Sequence, residues 1–315
     1  MQVTYFPYLF MNNQEELALD QLDVRVWNYD KKADTYITSP ELRKTLDAIM
    51  QTNVHSRWPI KDMGIISIGE PDFREYSPEE KQLCQEVRTI LFISALARSG
   101  VLERGPNVGH YIATSENFSL FEQNFQPDTK YTATQDGYVV NMWHGGHDIT
   151  QVQFRAPEYV PKPIVFQQDT NLLAALFTLR KKQKRLYRRI MRATDMMMQA
   201  YYNDTKLSEA ARILAIASAY EILFDLPESG QRRALRDEFE RLFDLPSDPR
   251  RTFVTHKDRR GKTHRANKTV KVYWANKFYE LRNAIIHGSP VKSDDYVFQG
   301  AQRYFDIAVL FLYWV

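Results

Sequence analysis

The chain has 315 residues, 43% of them hydrophobic and 26% charged, which suits one large domain or two ordinary ones and excludes a fibre or a disordered tail. The net charge of +3 hides an asymmetry: residues 1–164 carry 15 Lys and Arg against 22 Asp and Glu, and residues 165–315 carry 27 against 17. A front of −7 joined to a back of +10 predicts two modules, the second with a polyanionic partner.

The N-terminal stretch, Met1 to Pro7, lacks the basic region of a signal peptide. Together with a last apolar run, Ile307 to Val315, shorter than the roughly 20 residues that span a bilayer, this predicts a cytoplasmic protein with no membrane partner. Ser39-Pro40-Glu41 opens a helix running to about Gln51, with Pro40 where a missing N–H costs nothing. Ser77-Pro78-Glu79-Glu80 opens a second one with the spacing of a capping box, and its apolar stripe continues to Gly100. The lone cysteine, Cys84, falls within that stripe; it excludes an internal disulfide and reads as core. Short β-like runs occur at Val24–Trp27, Gly64–Ile68 and Tyr138–Trp143, the last after the turn signal Asp136-Gly137. Residues 1–160 therefore read as an α+β sensing or regulatory module. At its end, His144, His147 and Asp148 are the right types for a transition metal. Gly145-Gly146 between them reads as a hairpin turn, and no further His or Cys cluster lies nearby, so no metal and no cofactor is expected.

Residues 156–163 hold three prolines and form the best linker candidate. Beyond it, residues 164–315 read as an all-α bundle. The expected helices cover about Asp169 to Tyr202, Ser208 to Phe224, Ser229 to Phe243, Val270 to His287, and Asp295 to the end. Arg180 to Arg192 holds eight Lys and Arg in thirteen residues, which suits either a solvated helix face or an RNA-facing surface. Arg250 to Lys271 holds nine; with Gly261 in its middle it reads as a mobile loop that brings positive charge near phosphates. From this region Arg259, Arg260, Lys262, Arg265 and Lys268 are candidate substrate-binding residues. Tyr273 could stack on an unpaired base or pack in the core.

The fourth of these helices ends in Arg282-Asn283-Ala284-Ile285-Ile286-His287-Gly288. His287 closes its last turn, Asn283 lies four residues earlier on the same face, and Glu280 a further turn back. Arg282 is about 140° round the cylinder, within reach of a long side chain. A histidine for proton transfer and a permanent cation for phosphate charge suffice for phosphodiester cleavage. A helix-capping histidine beside an ordinary surface arginine has the same spacing.

The segment Arg282–Gly288 resembles the R-N-x-x-x-H signature of the HEPN superfamily, with the trailing glycine of its ApeA-like branch. Ser218-Ala219-Tyr220-Glu221-Ile222-Leu223-Phe224 is similar to the acidic second-helix segment of that branch, and Tyr273–Tyr279 to its aromatic run. The resemblance covers roughly residues 165–315 and leaves the first half unmatched. It implies a HEPN-like helical domain and a metal-independent endoribonuclease of the anti-phage, abortive-infection type. Arg282 and His287 are then catalytic, Asn283 positions the histidine, and Glu221 pairs with a cation or tunes the site. The implied partners are RNA (tRNA among the candidates), a second copy of the chain facing it across a composite site, and a phage-derived trigger at the N-terminal module. The alternative is a non-catalytic HEPN module for RNA or nucleotide binding and dimerisation. Nucleotide transfer lacks support, because no Gly-rich phosphate loop is present.

Overall fold

The computed structural model describes residues 2–9, 16–30, isolated positions between 37 and 59, and 62–69, 74–98, 115–126, 130–135 and 138–144. It further describes residues 169–201, 207–257, 261–300 and 302–314. They form two compact units, one over Met1–Lys182 and the other over Gln183–Tyr201 and Thr205–Val315. A mixed α+β region is thus followed by a helical bundle.

In the first unit, β1 (Gln2–Phe6), β2 (Glu16–Leu19) and β3 (Val24–Asp30) precede a short pair, β4 (Val54–His55) and β5 (Trp58–Pro59). They are followed by β6 (Asp62–Ile68), β7 (Phe121–Gln126), β8 (Lys130–Gln135) and β9 (Tyr138–His144). Seven of these strands make one sheet in the order β2-β3-β6-β1-β7-β8-β9, with every neighbouring pair antiparallel. The three predicted runs lie inside β3, β6 and β9. The central strand β1 was not predicted: its five residues are all buried, so the polar and apolar alternation that marks a half-exposed strand does not hold there. Val3, Tyr5, Trp27, Tyr29, Ile65 and Phe121 share a core cluster with Leu46 and Met50. The described residues of the helix expected from Pro40, including Leu46 and Met50, are helical.

Helix α1 (Pro78–Arg98) starts as its sequence dictates. The Ser77 N–H donates to Glu80 Oε2 at 2.8 Å and the Glu80 N–H to Ser77 Oγ at 3.2 Å, closing the capping box. Arg74 forks onto the same carboxylate, with Nη1 at 2.8 Å from Oε2. This pairing, and after it the Ser77 N–H, lowers the Glu80 carboxyl from 4.5 to about 2. Helix α2 (Thr170–Lys182) belongs to this unit: the Asp169 N–H donates to Ser94 Oγ at 2.8 Å, and Arg180 Nε to Glu86 at 2.9 Å. The division between units therefore falls after α2, later in the chain than the predicted linker. Residues 156–163 themselves, and Gly100, lie outside the described residues.

The second unit contains α3 (Lys184–Ala200), α4 (Glu209–Phe224), α5 (Gln231–Phe243), α6 (Val270–Ile286) and α7 (Tyr304–Trp314). Ser208 caps α4, its Oγ accepting from the Ala211 N–H at 3.2 Å. Three expectations need correction. The segment 169–202 is not one helix: Gln183 leaves helical geometry at φ −137, ψ 61, separating α2 from α3. Within the segment expected as a loop, β10 (Arg250–Lys257) and β11 (Thr263–Thr269) are paired strands, with Val254 opposite Arg265 and Arg251 opposite Lys268. Its charge masked the alternation that burial along β11 makes evident. The last helix begins at Tyr304, not near Asp295, after a short pair of two-residue strands, β12 (Val297–Phe298) and β13 (Gln302–Arg303). Gln299 and Gly300 between those strands both have positive φ, at 56 and 72°, the geometry of a tight turn that interrupts a helix.

Tyr220 of α4 sits at the centre of the bundle. It is fully buried, and its ring meets Phe239 at 5.7 Å, Phe278 at 5.8 Å and Trp274 at 6.4 Å. Its hydroxyl donates to the Ala308 carbonyl of α7 at 2.5 Å, so the polar tip is satisfied inside the apolar core. No helix among the described residues is long and apolar enough to cross a membrane.

Two measurements test these local arguments. Burial pushes the Cys84 thiol up to about 12, so alkylation by iodoacetamide at neutral pH should be slow in the native protein and fast in urea. The Glu80 cap stabilises the fold above the ordinary carboxyl value of 4.5 and is lost as pH falls toward about 2. Wild type should therefore lose more stability across that window than Glu80→Gln, followed by thermal melting.

Candidate functional site

The site is built on α6. Thr269 starts the helix, its Oγ1 accepting from the Val272 N–H at 3.4 Å. Trp274 and Phe278 stack on one another at 5.0 Å in the core, which fixes the helix's rotation. Tyr279 and Arg282, three apart, then share an adjacent face. There Arg282 Nη2 donates to Glu221 Oε1 of α4 at 2.8 Å, and Nη1 to Asn283 Oδ1 at 3.2 Å. The guanidinium also lies 5.0 Å from the centre of the Tyr279 ring, within cation–π range. The Tyr279 hydroxyl is 2.6 Å from Glu221 Oε1 and 2.6 Å from Gln231 Oε1 of α5. Both members of the Glu221–Arg282 pair are mostly buried, at 19% and 18% side-chain exposure, so this pairing is screened far less than a surface one. Burial first, and then the Glu221 carboxylate, raise the Tyr279 hydroxyl above the ordinary phenol range; it stays protonated through the neutral range.

His287 caps the same helix and is exposed. Its backbone N–H donates to the Asn283 carbonyl at 3.0 Å, while the next two N–H groups close on Ile285 at 3.1 Å and Ala284 at 2.9 Å. Gly288 follows at φ 67, the left-handed conformation that ends the helix and that glycine adopts without a Cβ penalty. Asn283 thus reaches Arg282 through its side chain and His287 through its backbone. Glu280 belongs to another cluster: it accepts from Asn276 Nδ2 at 3.0 Å, Lys277 Nζ at 2.7 Å and Arg232 Nη1 at 3.2 Å.

Of the expected site residues, Arg282, Asn283 and Glu221 come together, and His287 lies at the end of the helix that carries Arg282 and Asn283. Of the expected substrate-binding residues, Lys262 and Arg265 are exposed on the hairpin. Lys268 pairs with Glu240; outside that set, Lys271 of the same basic stretch pairs with Asp248 at 2.8 Å. Tyr273 is half-buried against Phe253 at 5.0 Å and Phe298 at 5.8 Å, with the Arg251 guanidinium 5.6 Å from its ring centre. Arg259, Arg260, His147 and Asp148 lie outside the described residues. In the other basic stretch, Arg185 and Arg189 both reach Asp225, at 2.8 and 3.2 Å, and Arg189 also donates to the Leu223 carbonyl at 2.6 Å. Both hold the C-terminus of α4, and Arg189 satisfies a carbonyl that the helix leaves open. Among the described residues, no group of three or more His, Cys, Asp and Glu could hold a metal ion.

Sequence reasoning passed over Gln231 and the role of Tyr279. The only signal was the three-residue step from Tyr279 to Arg282, which is equally the step of a core stripe. No protein-family profile, curated protein or solved structure matches the chain.

Glu221→Ala would leave the Arg282 charge without its carboxylate and the Tyr279 hydroxyl with Gln231 as its one remaining acceptor here. It should lower unfolding stability by about 1–3 kcal/mol, measured by urea denaturation, and Glu221→Gln, which keeps an acceptor oxygen, by less.

Proposed function

We propose that the chain is an endoribonuclease of HEPN type that acts without a metal ion. The observation that carries this reading is the oriented Arg282 guanidinium, held by Glu221 in the same helix end that presents an exposed His287. In the proposed reaction the RNA 2′-oxygen loses its proton to an imidazole and attacks the adjacent phosphorus. The bond from phosphorus to the 5′-oxygen breaks, and that oxygen takes up a proton. The products are a 2′,3′-cyclic phosphate and a 5′-hydroxyl. Arg282 stabilises the charge that builds on the non-bridging oxygens. One imidazole cannot be base and acid in the same instant, so two copies of the chain, each contributing an Arg282 and a His287, make a complete site. Hairpin residues Lys262 and Arg265 supply contacts to the RNA backbone that position without reading sequence.

The biological setting we propose is anti-phage defence by abortive infection in the cytoplasm. The acidic N-terminal region restrains the nuclease until it meets a phage-derived trigger. A second reading, a non-catalytic RNA- or nucleotide-binding dimerisation module, draws on the same ion pair: Glu221 neutralises Arg282, which suits a structural role for both.

Purified protein should cleave RNA with EDTA present and leave 2′,3′-cyclic phosphate ends, and Arg282→Ala and His287→Ala should each lower the rate at least about a hundredfold. Full cleavage by both variants would sink the nuclease reading in favour of the binding module.

A further inference from the structure

The hydroxyl of Tyr279 has two oxygen neighbours at equal range, Glu221 Oε1 and Gln231 Oε1, each 2.6 Å away. One phenolic proton serves one acceptor. Glu221 Oε1 also accepts from Arg282 Nη2, and an oxygen paired with a guanidinium is a stronger acceptor than an amide oxygen, which makes it the natural acceptor of the phenol proton. A half-turn of the Gln231 amide then directs its N–H to the phenol oxygen, so that each of the two short contacts has one donor and one acceptor. The order Gln231, Tyr279, Glu221, Arg282 links α5, α6 and α4 and ends on the guanidinium. Tyr279 meets that guanidinium a second time through its ring, 5.0 Å away. Arg282 has five N–H donors. Glu221 and Asn283 each take one, so the guanidinium is oriented while donors remain for a phosphate.

We propose that Tyr279 is a positioning residue for this site: its hydroxyl, backed by Gln231, holds Glu221 so that the carboxylate sets the orientation of Arg282. The inference rests on the endoribonuclease reading for its consequence in catalysis and on geometry alone for its effect on Arg282. Tyr279→Phe removes the hydroxyl and leaves the ring, so it separates the relay from packing and from the cation–π contact. It leaves the Arg282 charge in place, so substrate binding persists while stabilisation of the developing charge weakens.

The test has two arms on the full chain. In the first, Tyr279→Phe should lower kcat for RNA cleavage about ten- to a hundredfold, the weight of a hydrogen bond to a charged group, with KM within about twofold. The double variant Glu221→Gln with Tyr279→Phe should be no slower than Glu221→Gln alone, because the hydroxyl acts through the carboxylate. Additive losses, or a KM effect alone, would overturn the relay. The second arm needs no cleavage: modification of Arg282 by phenylglyoxal, followed by mass spectrometry, should be several times faster in Tyr279→Phe than in wild type. Gln231→Ala, which alters no core side chain, should shift it in the same direction. Unchanged labelling in both variants refutes the inference, whereas wild type that never cleaves RNA refutes the nuclease reading and leaves the labelling to decide the role of Tyr279.

Discussion

Two neighbouring residues of α4 do opposite work. Tyr220 enters the bundle centre and gathers rings from α5 and α6 around it, with its hydroxyl on α7. Glu221, the next residue, emerges at the edge of that core and takes Arg282. The pairing is possible because the aromatic cluster locks the rotation of α4 and α6; a turn of either helix by one residue, about 100°, would carry the carboxylate away from the guanidinium. Burial of each large ring stabilises by about 1.5–3 kcal/mol, and this apolar energy offsets the cost of keeping a mostly buried ion pair in place. The geometry of the site is therefore a by-product of core packing.

The positive charge of the second region divides by what each side chain touches. Arg185, Arg189, Lys268 and Lys271 have carboxylate partners within the fold, and Arg189 also secures a helix terminus. Arg265 is exposed on the hairpin. A count of Lys and Arg thus overstates the field offered to a polyanion, since paired cations contribute little to it. The hairpin also presents Arg251 to the Tyr273 ring, 5.6 Å from its centre, within cation–π range.

In the first unit the same lesson applies to polarity. Strands β7 and β8 read FEQNFQ and KYTATQ, sequences that look like loops. Glu122 and Gln123 of β7 are nonetheless buried, because Gln2 donates to the Glu122 carboxylate at 3.3 Å and Tyr5 to Gln123 at 2.9 Å. Buried polar groups are tolerated where a partner is present, and the partners come from β1, more than a hundred residues away.

Local chemistry alone determined the start of α1 at its capping box, the start of α4 at Ser208, the end of α6 at His287-Gly288, and the β-rich runs inside β3 and β6. Each depends on residues a few positions apart, so each is legible without a fold. The spacing of Arg282, Asn283 and His287 and the acidic residue at Glu221 were legible too, as a pattern of residue types. Only the tertiary structure decided that Glu221 meets Arg282 and not another cation, that Gln231 and Tyr279 belong with them, and that Glu280 does not. It alone decided that a charged stretch after α5 pairs as a hairpin and that β1 lies at the centre of its sheet. Those outcomes depend on contacts between residues far apart in the chain, where packing selects one partner among several that local pattern leaves equal.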